Sequence, residues 1–322
     1  MQALLDTIAA LAAAPTGAQR LFHGRGGRFP GCEHLALDAY PPVLLLTSFE
    51  PLADEALATI GAALAARWSV IAPQGEPLNW VYQCRQEGGR TDTRLMAGAV
   101  PEPHVVTEAG TRYLVHLLRG QNHGLFLDMA EGRRWVREQV APGAKVLNLF
   151  AYTCAFSVVA LQAGAGEVVN VDMSDGALAI GRRNHALNGV GAGAKFLAHD
   201  IFNSWGKLTR GGPYDLVICD PPSFQKGSFV ATKDYARLAR RLPTLLAPGG
   251  RALLCLNTPK LGLDFLQGVV AENAPELEFL ARLANPAAFS DVSDERGLKV
   301  LVYRRSGPLE TPDPAAEGIR RA

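Results

Sequence analysis

The chain has 322 residues, 48% of them hydrophobic and 20% charged, with a formal net charge of +1. This length suits two domains with sizeable cores, and the composition is that of an ordinary globular protein. Near-neutral charge excludes a globally basic nucleic-acid binder, so any basic surface must be local. Met1 to Ala14 is apolar apart from Asp6 and reads as an amphipathic helix ended near Pro15. It lacks the basic start of a signal peptide and is too short to span a membrane. Val43 to Phe49 reads as a strand, Leu52 to Ala66 as a helix, Ser69 to Ala72 as a strand and Trp80 to Cys84 as another. The run Val100-Pro101-Glu102-Pro103 marks a boundary. Residues 1–103 are therefore expected to form a small α+β domain.

Beyond the boundary, Arg112 to Leu118 and Gly124 to Leu127 read as strands around a turn at Arg119 to His123. From Ala144 the rhythm is strand, helix, strand, helix. Strands are expected at Lys145–Phe150, Glu167–Val171, Lys195–Ala198, Tyr214–Cys219 and Arg251–Leu256. Helices are expected at Ala155–Ala163, Asp175–Asn188 and Thr232–Leu246, the last with a kink at Pro243. Phe265–Glu272 adds a helix and Lys299–Tyr303 a late strand. This alternation predicts an α/β fold, a doubly wound Rossmann-like parallel sheet over residues 104–306. Residues 307–322, rich in proline and glycine, are expected to be a flexible tail.

Five cysteines (Cys32, Cys84, Cys154, Cys219, Cys255) form no C-x-x-C pair. An odd count argues against a disulfide framework, so a reducing cytoplasm is the expected location. No metal is expected.

Three strands end in Asp172, Asp200 and Asp220. In a doubly wound sheet these ends lie along one crevice. Asp172, after the second strand, is placed to accept hydrogen bonds from both hydroxyls of a ribose. Asp200, after the third, stands where an adenine amino group would be read. The first strand runs into Phe150-Ala151-Tyr152-Thr153-Cys154, whose small residues let backbone approach a ligand. That turn lacks G-x-G-x-x-G, which a dinucleotide site would carry to seat a pyrophosphate. The fourth strand ends in Asp220-Pro221-Pro222-Ser223-Phe224. Two prolines make a rigid turn that presents a carboxylate and free carbonyls at the crevice. The bland alternative for each acid is a helix N-cap.

The Asp-Pro-Pro turn resembles the substrate-side motif of methyltransferases that use S-adenosylmethionine. Gly124-Leu125-Phe126-Leu127-Asp128, Asn148-Leu149-Phe150-Ala151-Tyr152-Thr153, Val171-Asp172-Met173-Ser174, Asn188-Gly189 and Asp220-Pro221-Pro222-Ser223-Phe224 occur in order. The set resembles the bacterial 23S ribosomal RNA methyltransferases that include a cytosine-C5 and a guanine-N7 branch, over about residues 104 to 305. The resemblance implies a class I methyltransferase domain and S-adenosyl-L-methionine as cofactor. It implies that Phe150, Tyr152, Asp172, Met173, Asp200 and Asp220 line the cofactor site and that Asp128 borders it. Cys154 stands where a glycine is expected. The first hundred residues match less clearly, and no small RNA-binding domain of the kind some relatives carry in front is evident.

Cytosine C5 is a poor nucleophile, so methylating it requires a cysteine thiolate to add to C6 first. A nitrogen lone pair needs mainly positioning. The cytosine branch keeps its cysteine just after the strand that here reads Leu253-Leu254-Cys255-Leu256-Asn257-Thr258, and Asn257 stands in its place. Nitrogen methylation of an RNA base, in 23S ribosomal RNA, is therefore the leading expectation. Asp220 and the Pro221 carbonyl would face the base, Phe224 would stack on it, and Asn257 would bond it or cap the turn before Pro259. Arg20, His23, Arg25 and Arg28, with Arg85, Arg90 and Arg94 near Trp80 and Tyr82, form two basic stretches suited to phosphate contact or to plain solvation. Lys226, Lys233, Arg237, Arg240 and Arg241 follow the catalytic turn. A protein or small-molecule methyltransferase, and a non-catalytic RNA-binding protein of the same fold, are the alternatives.

Overall fold

A computed structural model describes residues 1–222, 224–225 and 229–307. Two sheets divide most of the chain between them. The first takes β1 (Gln19–His23), β2 (Leu35–Tyr40), β3 (Val43–Ser48), β4 (Asn79–Arg85) and β5 (Thr91–Ala97) in that spatial order. Helices α1 (Gln2–Ala9) and α2 (Asp54–Ile71) cover one face. β3 and β4 run parallel, which requires the crossover that α2 supplies.

Val43 to Leu46 is a continuous apolar run because β3 is buried on both faces. Alternate side chains serve different cores. Leu44 and Leu46 pack with Leu57, Ile60 and Leu64 of α2. Val43 and Leu45 face the other way, against Tyr113, Val115, Leu125, Leu127 and Val158. That second core seats the first sheet on the rest of the chain.

Ser69–Ala72 is not a strand. Leu57, Ile60, Leu64 and Trp68 are buried at helical spacing, and the Trp68 indole donates to the Glu76 carbonyl at 3.1 Å. This stripe carries α2 past Val70 to Ile71. The hairpin expected around 119–123 is also replaced. β6 (His104–Glu108) pairs with β7 (Thr111–Val115) across the tight turn Ala109–Gly110, and residues 124–126 are irregular, leading into a 3-10 turn at Leu127–Met129. A two-residue turn closes at lower entropic cost than the five-residue loop.

After α3 (Ala130–Gln139) comes the second sheet: β8 (Lys145–Leu149), β9 (Glu167–Asp172), β10 (Ala194–Ala198), β11 (Tyr214–Cys219), β14 (Leu246–Leu256), β15 (Leu277–Leu283) and β16 (Lys299–Arg305). The short pair β12 (Phe224–Gln225) and β13 (Phe229–Val230) stands apart. The spatial order is β10-β9-β8-β11-β14-β16-β15. The first five are parallel, and β16 is antiparallel to both neighbours. α4 (Ala155–Gln162) and α3 cover one face. α5 (Asp175–Leu187) links β9 to β10 and α6 (Trp205–Gly211) follows β10. α7 (Ala231–Ala239), α8 (Leu242–Leu245) and α9 (Leu263–Asn273) cover the opposite face with α6. The helix expected over Thr232–Leu246 is thus two helices. Pro243 sits in the first turn of α8, where its missing N–H costs nothing.

The arrangement is the doubly wound Rossmann-like fold. Strand order reverses between β8 and β11, and ligands bind at such a switch point, outside the carboxyl ends of the strands. Leu45→Ala is expected to cost roughly 2–5 kcal/mol in urea denaturation, the scale for emptying a core position. An unchanged midpoint would show that the shared core does not hold the first sheet in place.

Candidate functional site

At the switch point lies a cavity of about 370 Å³. The turn after β8 forms one wall and is unusual in its backbone. Phe150 (φ 57°), Tyr152 (φ 47°) and Cys154 (φ 61°) all adopt left-handed conformations without being glycine. Such residues are uncommon singly, and three in one turn store strain that the surroundings must offset. Tyr152 N–H donates to Asp172 Oδ2 at 2.8 Å, and Thr153 Oγ1 donates to the Gly124 carbonyl at 2.6 Å. Asn184 Nδ2 donates to the Thr153 carbonyl at 3.0 Å. The Cys154 side chain, where a glycine was expected, is received by Gly181 on α5, whose added Cβ would meet Sγ at 2.5 Å.

Asp172 closes β9. Its other oxygen, Oδ1, accepts from Ser174 N–H at 2.8 Å, while the N-cap of α5 is Ser174 itself. The carboxylate is held by two backbone donors and keeps lone pairs free toward the cavity. Asp200 does cap: Oδ1 accepts from Phe202 N–H at 2.8 Å and Oδ2 from Asn203 Nδ2 at 2.6 Å. It lines the cavity as well, so the capping and ligand readings coexist in one residue. Met173 is 55% exposed and lies across the opening.

The floor is acidic. Asp220, half-buried at the end of β11, is pushed up to about 7 by burial, with the Asp128 charge adding to the effect and Arg133 opposing it. Asp128 is itself raised by burial. Arg133, 3% exposed, donates through Nε and Nη2 to Glu108 at 2.6 and 2.7 Å, and through Nη2 to the Phe126 carbonyl at 2.8 Å. It thereby ties the Phe126–Asp128 segment to β6 and sets a cation beside both acids. Pro221 is buried in the same floor.

Asn257 follows β14, is exposed, and has no side-chain hydrogen bond among the described residues. The segment after it is pinned by Lys299, fully buried, whose Nζ donates to the carbonyls of Thr258 (2.6 Å) and Glu295 (2.8 Å). Cys255 lies inside β14, fully buried, and does not line the cavity. Burial and the neighbouring Asp220 push its thiol well above the ordinary range. Cys219 and Cys154 are likewise raised by burial. All five cysteines are buried and free.

The cavity therefore gathers Asp128, Phe150, Ala151, Tyr152, Thr153, Asp172, Met173, Asp200, Asp220, Pro221 and Asn257. The stacking role expected of Phe224 rests on a side chain outside the described residues. Sequence reasoning missed Arg133 and Phe126. Phe126, 41% exposed and 5.4 Å from the Tyr152 ring, lay inside a quoted motif, where an aromatic before an acid was a readable signal. Nothing local marked Arg133, whose partner Glu108 is 25 residues away.

A family model for S-adenosylmethionine-dependent methyltransferases matches residues 19–304. The chain belongs to that family. The match starts at β1, so the first sheet lies within the matched region, well ahead of residue 104. The chain is 35% identical over 240 residues to ribosomal RNA large subunit methyltransferase I of Aeromonas salmonicida, covering 68% of this chain and 59% of that protein. It is 34% identical over 242 residues to a ribosomal RNA large subunit methyltransferase of Deinococcus radiodurans, covering 73% and 58%. The chain thus spans about three-fifths of the length of these relatives. The crystal structure of SMU.776 complexed with SAH superposes with a TM-score of 0.80 at 26% identity, covering 94% of this chain and 79% of that one.

The residues present fit the family's cofactor. The cavity has the size of a small-molecule site. Asp172 offers acceptors for hydroxyls, and Phe150, Tyr152 and Met173 offer apolar surface. S-adenosylmethionine supplies an electrophilic methyl group when bound. Among the described residues, no group of three His, Cys, Asp or Glu side chains is arranged to hold a metal.

Asp172→Ala is expected to weaken S-adenosylmethionine binding by roughly 1.5–3 kcal/mol, the scale of a hydrogen bond to a charged group. Calorimetry that finds unchanged affinity in the folded variant would remove Asp172 from the site.

Asp220 generates a pH prediction. Its folded pKa of about 7 lies above the ordinary 3.8, so the folded state holds the proton longer than the unfolded chain. That favours folding at low pH, and the advantage is lost as pH rises through about 7. Asp220→Asn should therefore stabilise the fold by roughly 2–4 kcal/mol near pH 8 and by less near pH 4. Denaturant midpoints that shift equally at both pH values would contradict the burial of this acid.

Proposed function

We propose that this protein transfers the methyl group of S-adenosylmethionine to a ring nitrogen of an RNA base, in the 23S ribosomal RNA. One observation carries the choice of atom. The cavity floor presents Asp220, the Pro221 backbone and Asn257 and, among the described residues, no lining thiol, while Cys255 is buried in its strand beside Asp220 with its pKa raised. A carbon target would need a thiolate to attack the ring. A ring nitrogen that bears no proton already carries its lone pair and becomes cationic once methylated. Asp128 and Asp220, when ionised, would set negative charge where that cation forms, which is electrostatic stabilisation of the developing charge. Asn257 would orient the base through its unpaired amide.

The target base must leave its stack to reach this floor. Phe126, at the cavity rim, supplies a stacking surface. The choice of ribosomal RNA is supported by the names of the relatives. Residues 1–103, read as an N-terminal domain, would add contacts to the RNA. The cytoplasm, where ribosomes and reduced cysteines coexist, is the proposed location. Among the described residues, no helix is long and apolar enough to cross a membrane.

Radiolabelled methyl transfer to separated RNA, protein and metabolite fractions tests the substrate class. Label in RNA is expected, and label confined to protein or metabolites would favour the rival methyltransferase reading. Cys255→Ser should retain transfer. Its loss, with a covalent adduct trapped on 5-fluorocytosine-containing RNA, would reverse the assignment to carbon.

A further inference from the structure

A second cavity of about 310 Å³ adjoins the first and shares Asn122, Phe126, Asp128, Asn257 and Leu298 with it. The first sheet forms its opposite wall. Three arginines of that wall differ in how they are partnered. Arg20 is neutralised: Nε and Nη2 donate to Asp38 at 2.5 and 3.1 Å. Arg85 and Arg25 have no carboxylate within ion-pair distance among the described residues.

Arg85 is nevertheless held in place, and by neutral groups. Nε donates to Gln83 Oε1 at 2.9 Å, and Nη2 lies 3.2 Å from His123 Nε2. His123 Nδ1 faces the His116 carbonyl at 3.0 Å and must carry the ring proton, so Nε2 accepts. Burial and Arg85 hold the His123 pKa down to about 4, which keeps the ring neutral at pH 7. Gln83, fully buried, is fixed in turn by donating to Thr93 Oγ1 (3.0 Å) and the Gly120 carbonyl (2.9 Å). Arg25 lies flat on Phe49, 3.9 Å from the ring centroid, and Arg85 lies over the same ring at 5.9 Å. Burial lowers the pKa of both guanidiniums.

A partly buried cation oriented only by neutral acceptors is incomplete, because burying charge without a counter-charge is costly. Arg85 is such a cation, and the more exposed Arg25 converges on the same aromatic ring at the same cavity. The remaining acids of the chamber are otherwise engaged. Asp38 is taken by Arg20, Asp291 Oδ1 accepts from Ser293 N–H at 3.0 Å, and Asp128 belongs to the floor of the first cavity. Planar guanidiniums are suited to phosphate oxygens.

We propose that the chamber between the sheets is a phosphate site, in which Arg25 and Arg85 clamp a backbone phosphate of the RNA strand while its base enters the adjoining cavity. This rests on the reading of the protein as an RNA methyltransferase. It separates the basic residues by role. Arg85 and Arg25 line the chamber. Arg94 is spent on Asp92 and Asp54 at the surface.

The test is the salt dependence of binding of a short fluorescent single-stranded oligoribonucleotide, read by anisotropy. Arg85→Ala should weaken binding roughly ten- to hundred-fold, the range for a lost hydrogen bond to a charged group. The slope of log affinity against log salt should fall by about 0.7 for each phosphate contact removed from a single strand. Arg85→Lys should recover most of the slope and only part of the affinity, because a point charge displaces counterions without the planar fork. S-adenosylmethionine affinity should be unchanged throughout. An unchanged slope in the folded Arg25→Ala/Arg85→Ala double variant would overturn the proposal. If the native protein binds no RNA, the RNA reading fails on its own. The phosphate site is then decided by comparing a nucleoside 5′-monophosphate with its nucleoside. Tighter binding of the monophosphate, lost in Arg85→Ala, supports the site, and equal binding of the two overturns it.

Discussion

The site depends on the cost of holding Asp220 at the end of a buried strand. A carboxylate there is taken out of water beside a second acid, Asp128. Its pKa moves up to about 7 in consequence. Arg133 limits the effect, and it is held by Glu108 from the β6–β7 hairpin. The hairpin between the two sheets therefore has a chemical purpose as well as a packing one. It supplies Glu108, which holds Arg133 of α3 beside the two acids of the floor. A methyltransferase whose product is a cationic base gains from such a floor, and the folded state carries the cost.

The same trade of strain for position recurs above the floor. The β8 turn holds three left-handed residues without a glycine among them. Hydrogen bonds of Tyr152 and Thr153 lead outward to Asp172 at the end of β9, Gly124 in the segment before α3 and Asn184 on α5. The turn cannot relax without disturbing all three. A cofactor wall built in this way is fixed before ligand arrives, and preorganisation lowers the cost of binding.

Much of this was readable in the sequence. Parallel strands buried on both faces appear as apolar runs, and an aspartate at the end of such a run marks the crevice directly. Asp172, Asp200 and Asp220 were legible for that reason. The first sheet was less so. β1 and β2 flank a glycine-rich basic stretch that reads as loop, and β5 alternates weakly as an exposed edge. The hairpin expected at 119–123 gives way to the two-residue turn at Ala109–Gly110, which pairs β6 with β7 instead. Arg133 could not be singled out, because its partner Glu108 lies 25 residues away, nor could Arg85, whose contact with His123 spans 38 residues. What distinguishes Arg85 from Arg94 is the neutrality of its partners, and only the fold supplies that information.

The central claim is that an acidic, thiol-free floor selects a ring nitrogen as methyl acceptor. The most direct measurement is the identity of the methylated nucleoside. Large-subunit ribosomal RNA from cells lacking this gene, treated with the purified protein and S-adenosylmethionine, would be digested and resolved by mass spectrometry against nucleoside standards. The account expects a nucleoside methylated on a ring nitrogen, and 5-methylcytidine as the product would contradict it.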